Sequence, residues 1–106
     1  MAAKVELAEQ VVRFIARQAP EPRRALRAAQ RGLEREDGDI KPLEGPLQEY
    51  FRLRVRGYRV LFSYAEAPGN QRLIRCIFVE RRSAVYELFT EVLKAQLLSR
   101  EERLPE

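Results

Sequence analysis

The sequence predicts an α+β fold, a small antiparallel sheet with an N-terminal helical hairpin and a C-terminal helix, in the order β-α-α-β-β-β-α. Three observations carry this. Residues 50–64 alternate large apolar and charged side chains on both sides of Arg56-Gly57, the pattern of two half-buried strands joined by a tight turn. Apolar residues recur at helical spacing in two stretches before that block and in one after it. Clusters of proline, glycine, aspartate and asparagine separate these stretches and mark the connections.

In chain order, Lys4-Val5-Glu6-Leu7 alternates briefly and reads as an edge strand. From Ala8 to Gln18, Ala8, Val11, Val12 and Ile15 form an apolar stripe at helical spacing. Ala19-Pro20-Glu21-Pro22 ends this helix, and Pro22 fits the first turn of the next, where a missing N–H costs little. That second helix runs to about Arg35, with Leu26, Ala29 and Leu33 inward and Arg23, Arg24, Arg27, Arg31 and Arg35 mostly outward. Glu36-Asp37-Gly38-Asp39 is a turn, and residues 40–47, with two prolines, form an extended connector pinned by Leu43 and Leu47. The paired strands follow. Ala65 to Gln71 reads as a loop around Pro-Gly-Asn, and Leu73 to Val79 as a strand whose near-continuous apolar character expects cover on both faces. Ser83 is placed to cap a last helix, whose stripe is Val85, Leu88, Phe89, Val92 and Leu93, weakening through Leu97. The length suits one domain, residues 1–106, with a charged and frayed end from about 99.

If Arg56-Gly57 is the turn, Val55 faces Tyr58, and Phe51, Leu53 and Val55 share a face with Tyr58, Val60, Phe62 and Tyr64. That face is a core. On the other, Arg54 lies directly opposite Arg59, with Arg52 beside them. Like charges facing each other across an antiparallel pair are destabilising, and an anionic partner would explain them. The charge is concentrated here. Residues 50–82 hold eight arginines and two glutamates, a local +6, whereas the rest of the chain is −2. Arginine outnumbers lysine seventeen to three. Guanidinium suits bidentate phosphate contact, but a GC-rich genome gives the same bias and is the simpler reason for it.

Absences narrow the chemistry. With no histidine and only Cys76, the common zinc sites, imidazole-based triads and histidine-pair ribonuclease mechanisms are excluded. No phosphate-cradling glycine loop is present, and the scattered acidic residues on helices read as solvated surface rather than as a metal or glycosidase pair, so no metal or cofactor is expected. Cys76 reads as a core residue, and a single cysteine permits no internal disulfide. No apolar run reaches the length of a membrane span, and the N-terminus lacks a signal peptide's apolar segment, so a cytoplasmic protein is expected. On pattern alone the arginine stripe fits a nucleic-acid or phosphate partner and a solvated face salt-bridged to Glu80 or Glu49 equally well. Tyr86, close in sequence to Arg81 and Arg82, is of a type that stacks on a base or approaches a phosphate.

Lys41-Pro42-Leu43-x-Gly45, Tyr50-x-Arg52-Leu53-Arg54-x-x-Gly57-Tyr58-Arg59-Val60 and Arg82-x-x-Val85-Tyr86 together resemble the RelE/ParE superfamily of toxins from bacterial toxin–antitoxin modules. The likeness runs in order from the first strand to Tyr86, and the central Leu-Arg-x-x-Gly-Tyr-Arg block is its specific part. The resemblance implies a growth inhibitor held by a cognate antitoxin. RelE-like members cleave mRNA on the ribosome without a metal; ParE-like members inhibit DNA gyrase; a degenerate member would only bind antitoxin. It further implies catalytic roles for Arg52, Arg59, Arg82 and Tyr86, with Arg54, Arg56, Arg81 and Tyr50 as nucleic-acid-binding residues. The spacing does not decide between Arg81 and Arg82. Two departures stand out: arginine replaces a family lysine at 52, and Tyr50 falls where the other lysine of the pair would be. Arginine stays protonated and is a poor general base, so Tyr50 would need a lowered pKa to act as one.

Overall fold

A computed structural model describes residues 2–103, with side chains through Gln96. The elements are β1 (Lys4–Leu7), α1 (Glu9–Ala16), α2 (Pro20–Gly32), β2 (Asp39–Pro42), β3 (Phe51–Val55), β4 (Tyr58–Ala67), β5 (Gln71–Arg81) and α3 (Val85–Arg103), with short 3-10 turns at Leu33–Arg35, Gly45–Leu47 and Pro68–Asn70. Five strands lie in the order β1-β5-β4-β3-β2. The β3–β4 register is the one the alternating block requires, with Val55 opposite Tyr58, Arg54 opposite Arg59 and Phe51 opposite Phe62.

Each face of the sheet carries its own core. Leu53, Val55, Val60, Phe62, Ile74, Cys76 and Val79 pack beneath α1 and α2 with Val11, Ile15, Leu26 and Leu33. Phe62 is fully buried, its ring 5.7 Å from Phe51 and 5.4 Å from Tyr64. On the opposite face Leu61 and Phe78 pack against Val85 and Phe89 of α3, with Leu43 at the edge. α3 covers only part of this face. The arginines occupy what it leaves open.

Several elements differ from the sequence reading. The sheet is mixed, because β1 pairs parallel with β5 while the other neighbours are antiparallel. The connector's first half is itself a strand: β2 pairs with β3 through Asp39–Arg54, Ile40–Leu53 and Lys41–Arg52. Its prolines are compatible with this because β2 is an edge strand and Pro42 ends it. The loop expected over 65–71 shrinks to Pro68-Gly69-Asn70, with β4 and β5 continuing on either side through Glu66 opposite Arg72. Gly69 and Asn70 both take positive φ there (81° and 61°). α2 starts at Pro20, so both prolines sit in its first turn. Val12, counted in the α1 stripe, is half exposed, and Leu88 and Val92 are exposed on α3. The buried side of α3 is Val85 and Phe89, with Leu93 partly buried. Ser83 lies one residue too early to cap this helix, whose first bond, Leu88 N–H to Ala84 O, starts from Ala84. α3 continues to Arg103, and residues 104–106 of the expected frayed end lie outside those described.

One irregularity decides where the arginines point. Leu61 faces Phe78 while Phe62 faces Cys76, so Ile77 is an extra residue in β5. Without that bulge, Cys76, Phe78 and Glu80 would share one face. With it, Cys76 and Val79 join the core beneath α1 and α2, Phe78 joins the core beneath α3, and Arg81 falls on the α1 side opposite Tyr58.

Candidate nucleic-acid interface

Strand alternation brings Arg52 and Arg54 of β3 and Arg59 of β4 onto one face, beside the start of α3. Arg59 is 5% exposed. Its Nη1 donates to two backbone carbonyls of the β3–β4 turn, Arg56 O at 3.0 Å and Tyr58 O at 2.8 Å. Arg56 itself takes a left-handed conformation (φ 54°), which curls the turn over the guanidinium. No described side-chain nitrogen or oxygen is both fully buried and unpaired, so the other Arg59 donors keep access to solvent. Burial first, and then the charges of Arg54 and Arg52, push the Arg59 pKa below its ordinary value; Arg82 adds to this and Tyr86 opposes it. Three guanidinium groups and a tyrosine therefore act on Arg59.

Compensation is thin. Asp39 on β2 lies 3.5 Å from Arg52 and 4.0 Å from Arg54, and its carbonyl accepts from Arg52 Nη1 at 3.3 Å. Among the described residues no carboxylate lies within 4.0 Å of Arg59. Glu80, its cross-strand neighbour, turns its carboxylate onto the Arg81 N–H at 2.9 Å. Neither Glu80 nor Glu49 forms an ion pair with the stripe among the described residues. Next to the group, a cleft of about 470 Å³ is lined by Lys41, Pro42, Leu43, Glu44, Leu47, Arg52 and Tyr86. Tyr86 is 39% exposed and so presents its ring to this space.

Three of the residues assigned to nucleic-acid contact are not brought into this group. Arg56 projects from the turn to Glu21 of α2, 3.3 Å away. Arg81 lies over the Tyr58 ring, 5.7 Å from its centroid, on the α1 side of the sheet. Tyr50 packs edge-on against Phe89 at 5.1 Å, and burial, followed by the charge of Glu49, raises its pKa. A raised pKa is the opposite of what a substitute base needs. Lys41, Glu44 and Asp39 were missed as site residues. For Asp39 and Lys41 the signal depends on β2 pairing with β3 in register, while Glu44 lies beyond β2, just before the Gly45–Leu47 turn.

No family model matches the chain, and no curated protein matches it in sequence. Solved structures do match. The toxin–antitoxin complex RelBE2 from Mycobacterium tuberculosis aligns at TM-score 0.63 and 23% identity over 77% of this chain and 100% of that one. The archaeal RelE–RelB complex from Pyrococcus horikoshii aligns at 0.57 and 25% identity over 77% and 97%. The chain has the RelE/ParE toxin fold. A YoeB/ParE toxin from Agrobacterium tumefaciens shares it at TM-score 0.60 and 15% identity, over 74% of this chain and 98% of that one. On this RelE-like fold the sheet face beside α3 carries the arginines. Among the described residues no cluster of three metal-ligating side chains occurs, and no helix is long and apolar enough to cross a membrane.

Proposed function

We propose that residues 1–106 form a single toxin domain of a type II toxin–antitoxin module, acting as a ribosome-dependent, metal-independent mRNA endoribonuclease in the cytoplasm. The observation that carries this is Arg59, a nearly buried cation with no carboxylate partner among the described residues and like charges around it. Burying an unpaired charge is costly, and a phosphodiester offsets that cost. Arg59, Arg52 and Arg82 would stabilise the charge that develops on phosphorus, and Tyr86 would stack on a base. The cognate partner is an antitoxin, as in the RelBE2 and RelE–RelB complexes that share the fold.

Induced expression of the wild type should arrest growth, and Arg59→Ala or Tyr86→Ala should relieve the arrest. Purified toxin should block in vitro translation while leaving gyrase supercoiling intact. Inhibition of supercoiling alone would transfer the reading to a gyrase inhibitor, and no arrest on expression would leave an antitoxin-binding module.

A further inference from the structure

The arginines of the site stabilise charge but do not move protons, and Tyr50 is removed from the role by its raised pKa. RNA cleavage by attack of the 2′-oxygen needs a group to accept the hydroxyl proton and a group to protonate the departing oxygen. The cleft shared by Arg52 and Tyr86 holds one carboxylate, Glu44, and one ammonium, Lys41. Lys41 is placed by the β2–β3 register directly opposite Arg52. Glu44 follows three residues later, in extended backbone (φ −101°, ψ 163°) at the start of the Gly45–Leu47 turn. Neither forms an ion pair among the described residues, and both are exposed. Arg52 and the Tyr86 hydroxyl are the other ionisable groups lining the cleft, and Asp39 is held by Arg52.

We infer that Glu44 is the proton acceptor and Lys41 the proton donor of the cleavage step, an inference that rests on the endoribonuclease reading above. The 2′-oxygen forms a bond to phosphorus while its proton passes to the Glu44 carboxylate. The phosphorus–O5′ bond breaks, and the Lys41 ammonium protonates the departing O5′. The products are a 2′,3′-cyclic phosphate and a 5′-hydroxyl, and no co-reactant is required. A carboxylate–ammonium pair flanking arginines thus replaces the chemistry that histidine would supply elsewhere.

The test is single-turnover cleavage of mRNA on programmed ribosomes at saturating toxin. One substrate carries the ordinary O5′ leaving group and one a bridging 5′-sulfur, which departs without a proton. Glu44→Gln should slow both substrates by roughly 10²–10⁴-fold, the usual worth of a general acid or base. Lys41→Ala should slow the oxygen substrate by a similar factor and leave the sulfur substrate near the wild-type rate. Cleavage of the oxygen substrate at the wild-type rate by Glu44→Gln, or equal slowing of both substrates by Lys41→Ala, overturns the inference and leaves the endoribonuclease reading standing. No cleavage by the wild type overturns both.

Discussion

A guanidinium fixed to the carbonyls of its own turn cannot relax away from its neighbours, and this makes Arg59 different from Arg54 and Arg82, which are exposed. Arg54, by contrast, has its side chain 54% exposed, and its contact with Asp39 is worth at most about 1 kcal/mol. Placement also separates two arginines that sequence could not. Arg82 acts on Arg59 and Arg81 does not, so Arg81→Gln and Arg56→Asn should both preserve growth arrest, read as colony-forming units after induction. Cys76 gives a residue-scale prediction of another kind. Burial pushes its thiol from 9.0 up to about 12. The unfolded chain therefore releases this proton first as pH rises. The contribution of this group is fully present below about pH 9 and is lost as pH rises from 9 toward 12, on the order of 1 kcal/mol by pH 10. Urea unfolding at pH 8 and pH 10 measures it. In Cys76→Ala the stability at pH 8 should be lower, but that increment of pH dependence should be gone.

At the scale of elements, the edge pair β2–β3 positions both Asp39 and Lys41, and it depends on a close approach. Gly38 adopts φ +125°, and a Cβ there would come within 2.7 Å of Leu53 Cδ1. Gly38→Ala should therefore cost about 1–3 kcal/mol, read as a lower urea midpoint with an unchanged slope. Toxicity should weaken with it, since Arg52 loses its register with Lys41. The β3–β4 hairpin and the helices were legible because their signals are local: strict alternation across Arg56-Gly57, and 3.6-residue periodicity with Leu26 and Leu33 inward. β2 was not legible as a strand. Its partner lies across an intervening turn, and Pro42 marks a barrier to an interior strand while remaining silent about an edge. The bulge at Ile77 was hidden for a different reason. Ile74, Cys76, Ile77, Phe78 and Val79 are apolar in either register, so a sheet covered on both faces erases the alternation that would have betrayed the extra residue. The same hidden residue sets the face on which Arg81 lies, opposite Tyr58. Alternation alone places Arg52, Arg54 and Arg59 on one face, whereas the cleft that Glu44 and Lys41 line takes shape only once the elements are packed.

Across the whole molecule, the sheet sorts charge between its faces. Lys41, Arg52, Arg54, Arg59 and Arg82, set against Asp39 and Glu44, make the site +3 of a chain that is +4 in all. The remaining charges nearly cancel, and several are tied up in pairs remote from the site, Arg75 with Glu6 and Arg72 with Glu36. A molecule built this way should take a single-stranded polyanion through one face, and ionic strength measures how many phosphates that face engages. Four or five phosphate contacts correspond to a slope of log K against log salt of about −3 for a single strand. Arg59→Gln should make the slope shallower by roughly 0.7, because it removes one contact. Arg27→Gln, on the outer side of α2, should leave it unchanged, since that arginine lies across the sheet from the cluster. Fluorescence anisotropy of a short labelled RNA between 50 and 300 mM salt supplies the comparison. Equal slopes for the two variants would mean that affinity comes from diffuse positive charge and that the buried guanidinium is not where the backbone of the nucleic acid lands.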